Sequence, residues 1–173
     1  MKTLLSVLMA LFLISCSSVR VTHDYDREVN FNQYKTYNYY ADMNTGLSEL
    51  DTKRFLDALD AQLSQQGYTL SKEPDFFIDV SSKEYEAPSR SSFGIGMGGT
   101  GRNVGGGISI GVPVGQSNIN RQITVEFVDE NKKQLFWQAV SETTFKANET
   151  PESRETLLKA MAIKILSEFP PKP

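Results

Sequence analysis

The sequence predicts an α+β fold: a mainly antiparallel sheet with two helices packed on one face and a glycine-rich hairpin insert. Three observations predict it. Several stretches alternate apolar and polar residues with the period of a half-buried strand. Two stretches carry apolar residues at helical spacing behind good capping residues. Between the central strands lies FGIGMGGTGRNVGGGISIGVPVG, residues 93–115, which holds ten of the chain's twelve glycines. The order is strand, strand, helix, strand, insert, strand, strand, helix. A sheet with both helices on one face is the simplest way to bury such elements.

The first stretch, MKTLLSVLMALFLISC, stands apart from this pattern. Lys2 gives a short positive start, and Leu4 to Ile14 is apolar except for Ser6. That run is too short for a permanent membrane helix, which needs about 20 apolar residues. It has the form of a secretory signal over residues 1–15. Cys16 is the chain's one cysteine and falls where the signal ends. Leu13-Ile14-Ser15-Cys16 resembles the bacterial lipobox, whose cysteine receives a diacylglycerol thioether and then an N-acyl chain. One acyl chain anchors marginally, whereas two or three make release slow. With Cys16 modified, no thiol remains for a disulfide, so the body, residues 16–173, must rest on its core.

Composition excludes other classes. The net charge is −3 over 173 residues. Nucleic-acid binding needs a basic surface, and none is expected here. Anionic lipid would likewise need a polybasic contact. No heptad pattern or internal repeat is present.

Within the body, VRVTHD alternates Val19, Val21 and His23 against Arg20, Thr22 and Asp24, which reads as a first strand. A loop and a short strand at about 34–40 follow, rich in tyrosine. A tyrosine row of this kind reads as a half-buried surface whose hydroxyls reach the rim. Residues 48–66 form the first helix. Ser48 is the N-cap, Phe55, Leu59 and Leu63 make the stripe, and Gly67 is the left-handed residue past its end. After Pro74, Phe76, Ile78 and Val80 face one way while Phe77, Asp79, Ser81 and Lys83 face the other. Residues 119–128 repeat this, with Ile123, Val125 and Phe127 inward. DENKKQ turns the chain into LFWQAVSETTF, closing a hairpin with Trp137 in the core. Thr150 caps the last helix, Pro151 occupies its first position, and Leu157, Leu158, Met161, Ile165 and Phe169 line its inner side.

The glycine segment contains a literal G-x-G-x-x-G at Gly94, Gly96 and Gly99. A dinucleotide fingerprint needs a strand before it and a helix after it. Here APSRSS precedes it, while more glycine and Pro113 follow, so nucleotide binding is not expected. A period of two is present instead. Phe93, Ile95 and Met97 form one apolar edge, and Ile108, Ile110 and Val112 form another. This suits a hairpin arm, within an insert spanning 93–118, whose apolar edges meet the domain, a partner or lipid. A flexible loop is the plain alternative.

No constellation points to chemistry. His23, the one histidine, lies beside Asp24 and Asp26, and no second ligand stands at fixed spacing for a metal site. Asp51, Asp57 and Asp60 read as the solvated face of the first helix. Glu84 and Glu86 share a strand face without implying proton transfer.

Several segments together resemble a known family: VTHDYDREVNFNQYKTYNYY, GYTLSKEPDFFIDV, ITVEFVDENKKQLFWQAVSE and the final FPP. They are similar to the bacterial lipoproteins called domain of unknown function 4136, over nearly all of the mature chain. The most specific part is Asp24-Tyr25-Asp26, then Phe31 and Tyr34-Lys35-Thr36-Tyr37. The family often has a tryptophan near the place of Tyr39, and its insert is commonly aromatic where this one is aliphatic. The resemblance implies a lipid-anchored envelope protein of Gram-negative-type bacteria. It implies no catalytic residues.

The expected function is therefore a non-enzymatic binding or scaffold domain without cofactor. It is lipidated at Cys16 and faces the periplasm from the outer membrane, since Ser17 replaces the aspartate that retains many lipoproteins at the inner membrane. Its partners would be the membrane, through the anchor, and an envelope protein or further copies of itself. Phe93, Ile95, Met97, Ile108, Ile110 and Val112 are the candidate contact residues. Two alternatives stand beside this reading. One is an envelope hydrolase or small-ligand protein using acids near Asp24 and Asp26, which requires a concave pocket holding them with His23. The other is a membrane-associated oligomer assembled through the glycine-rich hairpin.

Overall fold

The computed structural model describes residues 19–86, 119–145 and 149–171. Cys16 and the glycine segment, with Phe93, Ile95, Met97, Ile108, Ile110 and Val112, lie outside the described residues. The elements run β1 (Arg20–Tyr25), a 3₁₀ turn (Phe31–Gln33), β2 (Thr36–Tyr39), α1 (Glu49–Gln65), β3 (Thr69–Leu70), β4 (Phe76–Glu86), β5 (Ile119–Asp129), β6 (Gln134–Phe145) and α2 (Pro151–Leu166). The six strands form one sheet in the order β1-β6-β5-β4-β2-β3.

The sheet is mixed, which corrects the expectation of a mainly antiparallel one. β1, β6, β5 and β4 pair antiparallel, but β2 runs parallel to both β4 and β3. The reason is the connection. Parallel neighbours need a crossover, and α1 between β2 and β4 supplies it. Apolar alternation reports which face of a strand is buried and says nothing of its direction. The two-residue β3 is too short to carry a period and was not foreseen.

Alternation does set the inward row of each long strand. Phe76, Ile78 and Val80 of β4 and Ile123, Val125 and Phe127 of β5 are fully buried, as expected. Phe55, Leu59 and Leu63 of α1 and Leu158, Met161, Ala162, Ile165 and Leu166 of α2 pack on them in the same core. Ser48 accepts the N–H of Asp51, and Thr150 accepts that of Ser153, so both caps form where the sequence places them.

One irregularity shapes the core. Phe127 faces Trp137 and Val128 faces Leu135, so Phe136 is an extra residue on β6. A bulge of this kind adds one residue to one strand and bends it. Both Phe136 and Trp137 are buried. Phe136 stacks on Tyr34 at 4.2 Å and 14°, and Trp137 packs on Phe127 at 4.6 Å. Phe169, just past α2, meets Phe127 at 4.7 Å and Trp137 at 5.1 Å, edge to face. Such pairs add about 0.5–1.5 kcal/mol beyond the area they bury.

Two glycines are required by their backbone. Gly67 has φ of 90° at the end of α1, and Gly46 has φ of 66° in the loop before it. A Cβ at Gly46 would stand 2.9 Å from the Ser82 carbonyl oxygen, whereas one at Gly67 meets nothing. Both Gly→Ala variants carry left-handed strain of about 1 kcal/mol or more. Gly46→Ala is expected to lose more in urea unfolding, because it also pushes on β4. Equal losses would show that the Gly46 loop yields freely.

Candidate functional site

The tyrosine-rich stretch is a junction of four elements, which corrects the expectation of a half-buried row with hydroxyls at the rim: Tyr34 and Tyr37 are each only 2% exposed, and their hydroxyls turn to acids of the fold. The Tyr34 hydroxyl donates to Asp129 Oδ2 at 2.8 Å, across the turn that ends β5. The N–H groups of Lys35 and Thr36 and the Thr36 hydroxyl all donate to Asp75 Oδ2, at 2.7, 2.8 and 3.0 Å. The Asp75 N–H returns a bond to the Thr36 carbonyl. Tyr37 and Tyr39, two apart and so on one strand face, both donate to Asp60 Oδ1 of α1, at 2.8 and 2.7 Å.

Electrostatics follow from these bonds. Burial raises Tyr34, Tyr37 and Tyr39 well above the usual tyrosine value, and their bonds to Asp129 and Asp60 raise them further. The three hydroxyls stay protonated and act as donors. Burial opposes ionisation of Asp75, but its bonds from Lys35 and Thr36 outweigh this and hold the carboxyl below its usual range. Asp129 behaves alike: burial opposes ionisation, and the Lys132 N–H and Tyr34 hydroxyl overcome it. These acids and phenols are committed to holding the fold.

The residues singled out around the histidine separate. Asp24 and Asp26 line an open cavity of about 220 Å³ with Tyr25, Leu135, Phe136, Trp137 and Gln138. His23 does not line it. Strand alternation puts His23 with Tyr25, on whose ring it stacks at 6.2 Å, and its Nδ1 lies 3.6 Å from Glu168 after α2. Asp24 Oδ1 accepts the Tyr25 N–H and Asp26 Oδ1 accepts that of Glu28, so each acid also shapes local backbone. A second open cavity, about 380 Å³, is lined by Tyr40, Asp42, Met43, Asn44 and Asp79. Among the described residues, no group of three His, Cys, Asp or Glu side chains could hold a metal ion.

The solvated acid face expected on α1 is corrected in part. Asp57 is exposed and pairs with Lys53 at 2.7 Å. Asp60 serves the two tyrosines, and Asp51 is only 1% exposed. Its two oxygens bind Arg54 at 2.9 Å and Arg154 of α2 at 2.6 Å. Asp51 lies four residues before Phe55, on the buried stripe, which is the signal that places it inward. Glu84 pairs with Arg121, a buried charge in the row of Ile123 and Val125 that alternation by residue type passes over.

The family model described as Domain of unknown function (DUF4136) matches residues 21–171. The chain belongs to DUF4136. The junction residues Tyr34-Lys35-Thr36-Tyr37 and the Asp24-Tyr25-Asp26 segment at the end of β1 both fall inside that match. No curated protein matches this DUF4136 chain. Among solved structures it is similar to a PDZ domain protein from Parabacteroides distasonis, at 12% identity and a TM-score of 0.55. That likeness covers 99% of this chain and 41% of the other, so the chain spans about two fifths of that protein's length. It is also similar to the PelC dodecamer from Paraburkholderia phytofirmans, in two crystal forms. Each shows 10% identity and a TM-score of 0.51, over 86% of this chain and 95% of PelC. At such identities the likeness is one of fold.

The junction sets the pH dependence of this DUF4136 fold. Asp75 and Asp129 are lowered on folding, so their stabilisation is present above the unfolded value of about 4 and declines as pH falls through the folded values. Asp75→Asn is expected to cost about 1–3 kcal/mol at neutral pH and to flatten the acid limb of a thermal-melt series. An unchanged acid limb would remove Asp75 from the account. The raised tyrosines contribute below the unfolded value of about 10 and lose this as pH rises beyond it. Their tyrosinate absorbance should therefore appear only together with alkaline unfolding.

Proposed function

We propose that this chain is a lipid-anchored cell-envelope protein, held at the outer membrane and facing the periplasm, which acts as a non-enzymatic binding or scaffold domain. The observation that carries this reading is the position of Cys16, at the end of an apolar leader and four residues before β1 begins at Arg20. Four residues reach at most about 14 Å. The anchor would therefore hold the β1 side of the sheet against the bilayer. Anchoring confines the domain to a surface and raises its local concentration towards partners there.

Self-assembly is the partner mode with most support. PelC, similar in fold, is described as a dodecamer. In this chain β1 pairs with β6 on one side, and among the described residues no strand pairs with its other side. An unpaired strand edge is a ready template for a second strand. The commitment of Tyr34, Tyr37, Tyr39, Asp60, Asp75 and Asp129 to structural bonds fits a domain that binds without reacting.

Metabolic labelling with palmitate tests the anchor. Label in the wild-type chain and none in Cys16→Ala, with release of the variant from membranes, is the expected result. A mature chain that begins elsewhere and carries an unmodified thiol would overturn it. Cross-linking in native envelopes tests assembly: a ladder of discrete multiples is expected, and a monomer band alone, with no second protein attached, would count against it.

A further inference from the structure

At the end of the core where both helices begin, the inward face of the sheet turns from apolar to charged. The inward row of β5 runs Phe127, Val125, Ile123 and then Arg121, which is 8% exposed. Arg121 stands opposite Glu84 on β4 and Thr143 on β6. Its Nη2 pairs with Glu84. Its guanidinium lies over the Phe145 ring, 4.3 Å from the centre, and that of Arg154 lies over the same ring at 5.2 Å. Arg154 Nη2 and Arg54 Nη1 share the buried Asp51 carboxylate.

The bonds of this cluster leave donors over. Among the described residues, Nε and Nη1 of Arg121 and Nε of Arg154 are buried without an acceptor. Stacking on Phe145 covers the planar faces of the guanidinium groups and satisfies none of their N–H bonds. An unmet donor on a buried charge is costly. Three guanidinium groups stand against the carboxylates of Asp51 and Glu84, and Glu152 at the start of α2 acts on Arg54 as well. Glu149 Oε2, before α2, is likewise buried without a partner among the described residues. Arg154 and Glu84 keep 30% and 47% of their side chains exposed, so the cluster reaches solvent while Arg121 sits beneath.

We propose that Arg121 and Arg154, held on either side of their contacts with Phe145, form an oxyanion-binding site for the phosphate or carboxylate group of a small ligand. Guanidinium N–H groups in a fixed plane suit such oxygens, and a lysine at the same place supplies charge without that geometry. The site lies apart from the Asp24–Asp26 cavity and does not depend on the anchor.

The full mature chain in detergent should bind inorganic phosphate or acetate saturably in calorimetric titration, and the anion that displaces the other identifies the preferred group. Arg121→Lys is expected to weaken binding about tenfold or more, while the exposed control Arg27→Lys binds as the wild type does. Arginine Nε–H resonances give a reading independent of any variant: those of Arg121 and Arg154 should shift with the same saturation. Resonances unmoved by both anions, or unchanged affinity in a folded Arg121→Lys, would overturn the proposal.

Discussion

The Asp75 carboxylate is the constraint on which the arrangement of the sheet depends. One oxygen takes three bonds from Lys35 and Thr36, and these fix the start of β2 beside the start of β4. Once the two strands are held there side by side, the chain between them must cross the sheet, and α1 is that crossing. Tyr37 and Tyr39 then reach Asp60 on the helix, which ties the crossing down to the strand that precedes it. Tyr34 extends the same junction to Asp129 at the β5–β6 turn. A short run of sequence therefore sets a parallel pair, a helix and a hairpin end relative to one another. Its four consecutive residues, Tyr34 to Tyr37, act through both backbone and side chains.

This explains which parts of the fold were legible. Strands and helices with one buried side announce themselves by period: β4 and β5 are legible with their inward rows, α1 and α2 with their caps and stripes, and β6 as the hairpin partner that carries Trp137. Direction was not legible, because period two is the same for parallel and antiparallel strands. The parallel β2–β4 pair is decided by Asp75, whose partners lie about forty positions away in sequence. The bulge at Phe136 was invisible for a related reason. Two adjacent aromatic residues break alternation, and only the facing strand shows that both turn inward.

The polar residues divide in the same manner. Asp24 and Asp26 stand out because they follow a lone histidine, yet alternation sends His23 to the helix side and leaves the acids at an open cavity. Asp51 reads as a solvated charge and Arg121 draws no attention, although each stands in register with apolar neighbours on a buried face. A buried ion pair is weak evidence of stability, since desolvation offsets much of the attraction. What distinguishes this end of the core is that Arg121 and Arg154 keep buried N–H groups without an acceptor among the described residues.

The pairing of β1 with β6 joins Arg20 to Glu142, near opposite ends of the chain. Loop closure over such a span is slow compared with forming the β5–β6 hairpin. The first strand to be made is thus finished only after nearly all the others exist. A nascent polypeptide delivered amino end first would carry an orphan ribbon until its carboxyl half arrives, its backbone groups bonded to water in the meantime.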